Sequence, residues 1–571
     1  MVRRQSLMNI PPKLKDADDI LNILGDPGIF QTIQFTLLML QFVPIAMNDL
    51  MPIFYNIRPL GIQIPYYGIS DINNNSFVTA DDNSSMGYVY VNLSAACNAI
   101  HSGLPSSNFS YVYRNRQWSV IGEMDLLCDK AWLANLATTV YFLGQIIGSP
   151  IFGWTSDKYG RRKTLILSNI AYSLLSIGVI FSRDIISFSV LRFCVGLARQ
   201  GMHSAFFVLM MEWIQSHRRG PWAAIAQFPF SAGVLLLALF GYLLQNWHHM
   251  QIVLAVSNFT AIGFYWFAPE SLKWLILHHR ATEAQDICKH IAHFNNVPIS
   301  RSDLKDIEIL AKNLHSGGQP VQSHSFIDCF RTPYVRIFTV LCCYIWFATF
   351  FTYFAFSFLM TNMVGDVYTN LAISGCLELI PRALAVISAQ KITNRAMLVT
   401  YFFWAGIFAL ITGAIPAGAK LDANSIAKTA MALLGRMAIV GCFPIVSVVS
   451  SELFPTAIRN SGFGLCSIAM KAGAMVAPQL ALLTLNTSFT GIPFYIIGAV
   501  SVLGSVMTII LPETTDMKLM STIAEAEEFG TRELMAFYKR KSVAFLTVMK
   551  PVKKMSLRER AKSIFEKIEK F

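Results

Sequence analysis

The residues of this chain that could do chemistry are ionisable side chains inside long apolar stretches. Lys471 and Glu378 each stand about ten residues inside such a stretch, which at about 1.5 Å per helical residue places them about 15 Å deep. A charged side chain at that depth costs about 2.5–3.5 kcal/mol on membrane-insertion scales, so its presence indicates a function. These residues predict electrostatic binding of a small charged molecule near the middle of a bilayer.

The partner of each charge decides which molecule would bind. Arg382 follows Glu378 by four residues and shares its helical face, which allows an ion pair within the helix. If that pair forms, Lys471 is the dominant unpaired charge and attracts an anion. If Glu378 instead faces Lys471, the site has both signs and suits a zwitterion. A third interpretation is that Lys471 only neutralises a carboxylate such as Glu378.

Long apolar segments must position these residues. Of the 571 residues, 54% are hydrophobic and 14% are charged, against roughly 25% charged in a soluble domain. The apolar stretches have the length of about 20 residues that a spanning helix needs, without the alternating polarity of barrel strands. The predicted spans are 30–51, 132–153, 164–182, 188–210, 222–244, 250–268, 336–358, 368–388, 397–417, 428–450, 461–483 and 491–511.

The predicted fold class is an all-α membrane protein with twelve transmembrane helices in two six-helix halves. A large loop, 52–131, separates the first two helices and is predicted to be extracellular. The predicted domains are a cytoplasmic N-terminal segment 1–29, a first half 30–268, a cytoplasmic central loop 269–335, a second half 336–511 and a basic cytoplasmic tail 512–571.

Basic residues predict the orientation, because short cytoplasmic loops collect Lys and Arg. Lys158 and Arg161 follow the second span, and Arg218 and Arg219 follow the fourth, so even-numbered spans end in the cytoplasm. Both termini are then cytoplasmic. The net charge of +12 follows from this bias and from the basic tail facing an anionic lipid leaflet, without a nucleic-acid partner.

The loop 52–131 has features of an extracellular segment. Cys97 and Cys128 lie in this loop, and an oxidising exterior favours one disulfide between them. The other cysteines fall in spans or on the cytoplasmic side, and no set has metal-ligand spacing. Four Asn-x-Ser patterns predict glycosylation at Asn74, Asn83, Asn92 and Asn108.

Residues 153–163, GWTSDKYGRRK, resemble the loop signature of the major facilitator superfamily. Glycines permit a tight turn and close approach, whereas the acidic and basic residues can lock neighbouring helix ends in one state and release them in another. A second interpretation is simple anchoring by positive charge. The predicted gating residues of this segment are Gly153, Asp157, Gly160, Arg161 and Arg162.

Further segments are similar to the organic cation, carnitine and organic anion transporters, known as solute carrier family 22. They are 118–132, 192–213, 269–275 (PESLKWL), 451–460 (SELFPTAIRN) and 511–514 (LPET). The resemblance implies a plasma-membrane secondary carrier that works by alternating access. Residues 391–395, KITNR, depart from the family because the Asp and Gly of the second-half signature are missing.

The resemblance also implies roles for individual residues. Lys471 stands where cation carriers have Asp and where anion and carnitine carriers have Arg, which favours anions or zwitterions. Tyr353 and Gln227 match substrate-facing positions, and Glu378 matches an acidic position of cation carriers, with Arg382 beside it. Six residues match gating positions near helix ends: Arg192, Glu212, Glu270, Arg436, Glu452 and Arg459. The role of Arg199 stays open. For Asn48 and Asp49, near the outer end of span 1, lining of the entrance is one alternative.

Motifs of other function classes are absent from the sequence. It has no phosphate-binding Gly-x4-Gly-Lys, no His-Glu-x2-His and no Gly-x-Ser-x-Gly, so neither an enzyme, a cofactor nor a metal is predicted. The predicted partners are a small organic ion, a possible counter-transported or coupling ion, and the lipid bilayer. An organic cation transporter and a non-transporting receptor or scaffold stay as alternatives. The sequence does not decide between uniport, exchange and ion coupling, or the oligomeric state.

Overall fold

The computed structural model describes residues 17–25, 27–65, 88–92, 97, 110–113, 118–215, 218–265, 267–316, 326–388, 392–416, 422–455, 457–486, 491–515, 520 and 522–532. Within this part of the chain, eleven helices are long and apolar enough to cross a membrane. In chain order they are span 1 (Ile29–Tyr55), span 2 (Cys128–Tyr159), span 3 (Arg161–Phe181), span 4 (Ile185–Glu212), span 5 (Arg219–Leu244), span 7 (Pro333–Leu359), span 8 (Val367–Ser388), span 9 (Asn394–Ala414), span 10 (Ala423–Leu453), span 11 (Arg459–Leu483) and span 12 (Ile492–Ile510).

The helix Trp247–Tyr265 occupies the place of span 6. His248, His249, Gln251 and Asn258 make it less apolar than the other spans. Gln251 is buried and satisfied, because its side chain accepts a hydrogen bond from the Tyr55 hydroxyl and donates one to the Ser176 carbonyl. With this helix, the described part of the chain is consistent with the twelve spans that the sequence predicts, eleven of which are long and apolar enough to cross a membrane.

Several spans are interrupted. Span 5 breaks at Gln227 and span 10 at Gly441, and a short 3-10 turn around Pro478 interrupts span 11. Proline follows closely at the first two breaks and lies inside the third, where its missing N–H group weakens the helical hydrogen bonds. The break at Gly441 lies near the middle of its span, and a broken helix at that depth is typical of carrier binding sites.

Each half is held by close helix packing. In the first half, span 4 packs against spans 2 and 3, span 6 against span 3, and span 5 against span 1. A Cβ at Gly196 would lie 2.1 Å from the Tyr141 carbonyl oxygen, so only glycine allows spans 2 and 4 to approach this closely. In the second half, span 9 packs against spans 10 and 12, and span 7 against spans 11 and 12.

The two halves meet along spans 5 and 8 and along spans 2 and 11. We call the end of the bundle that carries the loop 52–131 the outer end, and the end that carries the turn at Gly160 the inner end. At the outer end, the rings of Phe54 and Tyr368 stack with centroids 5.6 Å apart. The Gln479 amide also donates to the Thr139 hydroxyl at 2.9 Å. These contacts close the outer end between the halves.

The loop 52–131 contains a small antiparallel sheet that the sequence analysis did not predict. Its strands are β1 (Gly61–Pro65), β2 (Tyr88–Asn92) and β3 (Ser110–Val112), in the order β2-β1-β3. The alternation YVYV in β2 is the signal that was missed. Cys97 and Cys128 form a disulfide with their Cα atoms 5.6 Å apart, as predicted. Asn92 ends β2, whereas Asn74, Asn83 and Asn108 lie outside the described residues.

The inner end carries the helices of the central segment, Leu272–Leu277, Ala281–Phe294 and Arg301–Ser316. They pack together and against the N-terminal helix Ala17–Leu24. After span 12, the Glu527 carboxylate accepts hydrogen bonds from the backbone N–H groups of Tyr334 and Val335, which caps the start of span 7. Residues 533–571, which include most of the predicted basic tail, lie outside the described part of the chain.

Candidate functional site

A buried ionic network occupies the middle of the second half. The Glu378 carboxylate contacts Arg436 at 2.9 Å and Arg382 at 3.3 Å, and all three side chains are at most 2% exposed. The predicted ion pair within span 8 is therefore present. The sequence analysis placed Arg436 near a helix end, so its contact with Glu378 was not predicted. In the structure, Arg436 lies in the middle of span 10. Glu378 is not paired with Lys471.

Hydroxyl and amide groups complete this network. Tyr353 donates to Glu378 at 3.0 Å and accepts from Arg436 at 2.9 Å. From the first half, Ser231 donates to Glu378 at 3.2 Å, and Arg382 donates to the Gln227 backbone carbonyl at 2.7 Å. The predicted residues Tyr353, Glu378, Gln227 and Arg382 therefore form one cluster. This cluster joins spans 5, 7, 8 and 10 across the interface between the halves.

A second buried ion pair lies in the first half. Arg199 of span 4 binds Asp49 of span 1, and both side chains are at most 5% exposed. Tyr141 donates to the same carboxylate at 2.6 Å, and Arg199 donates to Gln145 at 3.2 Å. Asp49 is thus a buried structural and electrostatic partner rather than a residue at the entrance, because span 1 turns it towards span 4.

Lys471 lies apart from the Glu378 network and has no ion pair or hydrogen bond among the described residues. Lys471 is 3% exposed, and its ammonium nitrogen lies 5.9 Å from the centre of the Phe350 ring. The charges of Arg199 and Asp49 act on it across the interface between the halves. His203, one turn beyond Arg199, also lies within the electrostatic reach of Lys471. Lys471 therefore has the property predicted of a free charge.

Aromatic rings connect Lys471 with the Glu378 network. The ring of Phe350 lies 4.9 Å from Phe443, and Phe443 lies 5.3 Å from Tyr353. The first half contributes Phe230, whose ring centroid is 6.2 Å from that of Tyr353. Phe350, Phe443 and Phe230 are only partly buried, so part of each ring surface is open to contact. Such surfaces can pack against the flat apolar part of a ligand.

The interior has an excess of positive charge. Among the described residues of the spans, six basic side chains and two acidic ones are buried. They are Arg192, Arg199, Arg382, Lys428, Arg436 and Lys471 against Asp49 and Glu378. Both carboxylates are already occupied by guanidinium groups. In a medium of low dielectric constant, this excess favours a negatively charged ligand.

The loop signature forms a latch at the inner end of the first half. Gly160 has φ +106°, a conformation that favours glycine, and it turns the chain between spans 2 and 3. The Glu270 carboxylate accepts from the backbone N–H groups of Arg161 and Arg162 at 3.0 and 3.1 Å. The Arg161 side chain contacts Asp157 at 2.9 Å and Glu212 at 3.3 Å. Three helix ends thus meet at one charged cluster.

The second half builds a related latch despite its missing signature. The Asn394 amide donates to Glu452 at 3.2 Å, and Arg395 contacts Glu513 at 3.7 Å. Burial acts to raise the pKa of Glu513, but hydrogen bonds from Thr515 hold it below its ordinary value. Beside this latch, Arg459 donates to the Phe454 carbonyl at 3.3 Å. The segment KITNR therefore keeps helix-end contacts with different residues.

Besides Arg436, two of the predicted gating residues lie in unexpected surroundings. Nothing lies within 4 Å of the position that a Cβ of Gly153 would occupy, so the predicted close approach is absent there. Arg192 is buried inside span 4 rather than at a helix end, with its guanidinium 4.2 Å from the Tyr141 ring and 5.2 Å from the Tyr55 ring. Span 4 begins at Ile185, which places Arg192 two turns inside it.

Sequence reasoning missed the functional position of two residues. His203 lacked a motif, although its place four residues after Arg199 puts both on one helical face. Arg199 carried a signal in its depth within span 4, but the spacing along the chain does not show that Asp49 meets it. Arg199 and His203 bring the first half to within electrostatic reach of Lys471.

Comparisons with known proteins agree with this architecture. Residues 75–525 match the sequence model of the family described as "Sugar (and other) transporter". A Drosophila melanogaster "Organic cation transporter protein" is 27% identical over 90% of this chain and 95% of its own length. "Solute carrier family 22 member 6" of Pseudopleuronectes americanus is 30% identical over 75% of each chain.

The fold is also similar to that of solved carriers. The xylose transporter XylE from E. coli, in a partially occluded inward open conformation, has a TM-score of 0.58 at 16% identity, over 88% of this chain and 99% of its own. A related XylE structure is titled as a major facilitator superfamily proton:xylose symporter and has a TM-score of 0.53. This chain is a multi-pass membrane transporter rather than an enzyme, and it belongs to solute carrier family 22 within the major facilitator superfamily.

Proposed function

We propose that this protein carries small organic anions across the plasma membrane, with Lys471 as the residue that binds the substrate's negative charge. The observation that carries the proposal is that Lys471 is buried without an ion pair or hydrogen bond among the described residues. A buried cation without a partner is costly, and an arriving carboxylate or sulfonate relieves that cost. The site is therefore complementary to an anion before the substrate arrives.

The surroundings of Glu378 support an anion rather than a cation. A carboxylate that binds a cationic substrate must be free to do so, but Glu378 already has two guanidinium partners at 2.9 and 3.3 Å. Arg382 and Arg436 together outweigh its single negative charge. In this proposal, Glu378 positions the two arginines, Gln227 orients Arg382, and Tyr353 holds the network beside the substrate.

The aromatic side chains indicate the body of the substrate. Phe350 lies beside Lys471, and Phe443 and Phe230 continue the ring surface towards Tyr353. Flat apolar groups gain contact area with rings in offset or edge geometry. We therefore infer an organic anion with an aromatic or otherwise flat apolar body, whose charged group lies at Lys471.

Alternating access would move the substrate between the two ends. Contacts at the outer end are closed here, and the latches around Glu270 and Glu452 lie at the inner end of each half. In this proposal, rocking of the halves breaks the outer contacts, whereas each latch joins helix ends within one half and keeps that half rigid as it moves. The outer end faces the extracellular side and both termini the cytoplasm, as the distribution of basic residues predicts.

A zwitterion is the second candidate. Asp49 is near enough to act on Lys471, so a cationic group of the substrate could compete with Arg199 for this carboxylate. A cation carrier is the alternative that the name of the Drosophila organic cation transporter raises. The charge excess around Lys471 opposes a cation.

The experiment is uptake by cells that express the chain. Labelled aromatic carboxylates, carnitine-like zwitterions and quaternary ammonium ions are compared for wild type, Lys471→Met and the exposed control Lys273→Met. Loss of one member of a buried charge pair costs about 2–5 kcal/mol, so Lys471→Met should lower anion uptake at least about 30-fold. Lys273→Met should match wild type. Wild-type uptake restricted to the quaternary ions would refute the proposal.

A further inference from the structure

A second cation without a partner lies far from Lys471, at the closed outer end. Arg58 follows the end of span 1 and lines a small cavity of about 20 Å³. The described residues give its guanidinium no hydrogen bond and no ion pair. Burial lowers the pKa of Arg58 to about 10, and no carboxylate among the described residues opposes that effect. An arginine remains charged at such a value, so its charge is uncompensated within the described part of the chain.

The cavity is built from both halves of the protein. Span 1 and the residues after it contribute Asn56 and Arg58, span 2 contributes Asn135, and the second half contributes Phe358 and Thr361. It exists as one enclosure only while the outer end is closed. Opening the outer end would separate its two walls, because the halves move apart there.

Donor groups line the cavity beside Arg58. Asn56 donates its amide N–H to the Asn135 side-chain oxygen at 2.9 Å. The amide nitrogen of Asn135 then has no hydrogen-bond partner among the described residues. A guanidinium and an amide N–H group together are the chemistry that binds a halide or a carboxylate. Neither side chain belongs to the proposed substrate site around Lys471.

We propose that this cavity, which we call the outer pocket, binds a small monovalent anion that bridges the two halves while the outer end is closed. The anion is a halide, because a cavity of about 20 Å³ has room for one small ion and not for an organic acid. It compensates the charge of Arg58 and stabilises the closed state relative to the open one. This inference does not depend on the substrate class proposed above.

The size of the effect follows from linkage. An anion that binds only the closed state at ten times its Kd shifts the ratio of closed to open protein about elevenfold. The fraction of protein that can accept substrate from the outside then falls by up to the same factor. The apparent affinity for external substrate falls with it, because only the open state binds.

The direct test is thermal unfolding of the purified full-length protein at constant ionic strength. Lactobionate, an anion of disaccharide size that exceeds the outer pocket, is replaced stepwise by chloride in one series and by acetate in another. A saturable rise in the unfolding midpoint with chloride that exceeds any rise with the larger acetate supports the pocket, whereas an equal or larger rise with acetate overturns it. A midpoint that is independent of both anions overturns the proposal.

Variants assign the response to Arg58. Arg58→Gln should abolish the rise, whereas Arg58→Lys, which keeps the charge, should retain part of it. Arg183→Gln removes an exposed positive charge at the same end and should respond like wild type. Lys471→Met should also keep the Arg58-dependent rise, which separates this pocket from the substrate site. An undiminished rise in Arg58→Gln would place the anion elsewhere and refute the outer pocket.

Discussion

Replacement of Glu378 by glutamine would keep the shape of the side chain but leave Arg382 and Arg436 without their carboxylate. Glu378 is fully buried, with guanidinium nitrogens at 2.9 and 3.3 Å and hydroxyl donors at 3.0 and 3.2 Å. Removing one partner of a buried ion pair costs about 3–5 kcal/mol, because the remaining charge stays buried. We therefore expect Glu378→Gln to lower the free energy of unfolding by about this amount.

The double variant Glu378→Gln with Arg436→Met tests the physical reason. It removes one uncompensated guanidinium together with the carboxylate, so the double variant should be more stable than Glu378→Gln alone. Titration with sodium dodecyl sulfate in mixed micelles measures both, with the exposed Glu308→Gln as the control. Wild-type stability of Glu378→Gln, together with selective loss of cation uptake, would show that Glu378 binds substrate and would refute this reasoning.

Three further predictions concern the latch, a helix cap and the loop. Glu270→Gln should lower the maximal transport rate without raising KM, because the Glu270 carboxylate holds the signature turn and does not meet substrate. Uptake kinetics measure both values, and a rise in KM alone would contradict this prediction. Hydrogen bonds from Ser187 lower the pKa of Asp184. Its capping of span 4 is therefore present at neutral pH and is lost as the pH falls through that lowered value. Hydrogen exchange of residues 185–188, compared with that in Asp184→Ala, should show that the protection disappears only in acid. Replacing Cys97 and Cys128 by serine should cost the loop about 2–4 kcal/mol and speed its limited proteolysis, whereas unchanged cleavage would contradict a stabilising disulfide.

Relations within one helix were predictable from the sequence. Four-residue spacing predicted the ion pair of Glu378 with Arg382, and the signature 153–163 contains the pair of Asp157 with Arg161. Helical periodicity fixes which residues share a face, and apolar length fixes how many helices cross the membrane. These features depend on residues close together in the chain, so a single sequence contains them.

Relations between helices were not predictable. Arg436 meets Glu378 and Arg199 meets Asp49 over long separations, and nothing in the spacing shows which helix faces meet. The position of Lys471 was found because a charge in an apolar stretch is conspicuous. Its lack of a partner could be learned only from the three-dimensional arrangement, since the sequence also allowed a pair with Glu378.

The central claim is that the positive charge of Lys471 binds the negative charge of the substrate, and reversal of the Lys471 charge tests it most directly. Lys471→Asp and the charge-conserving Lys471→Arg are compared with wild type for uptake of an aromatic carboxylate and of a quaternary ammonium ion of similar size. The account predicts that Lys471→Arg keeps the preference for the anion and that Lys471→Asp loses it. If Lys471→Asp takes up the anion as wild type does, Lys471 does not bind the substrate's charge and the proposed function is wrong.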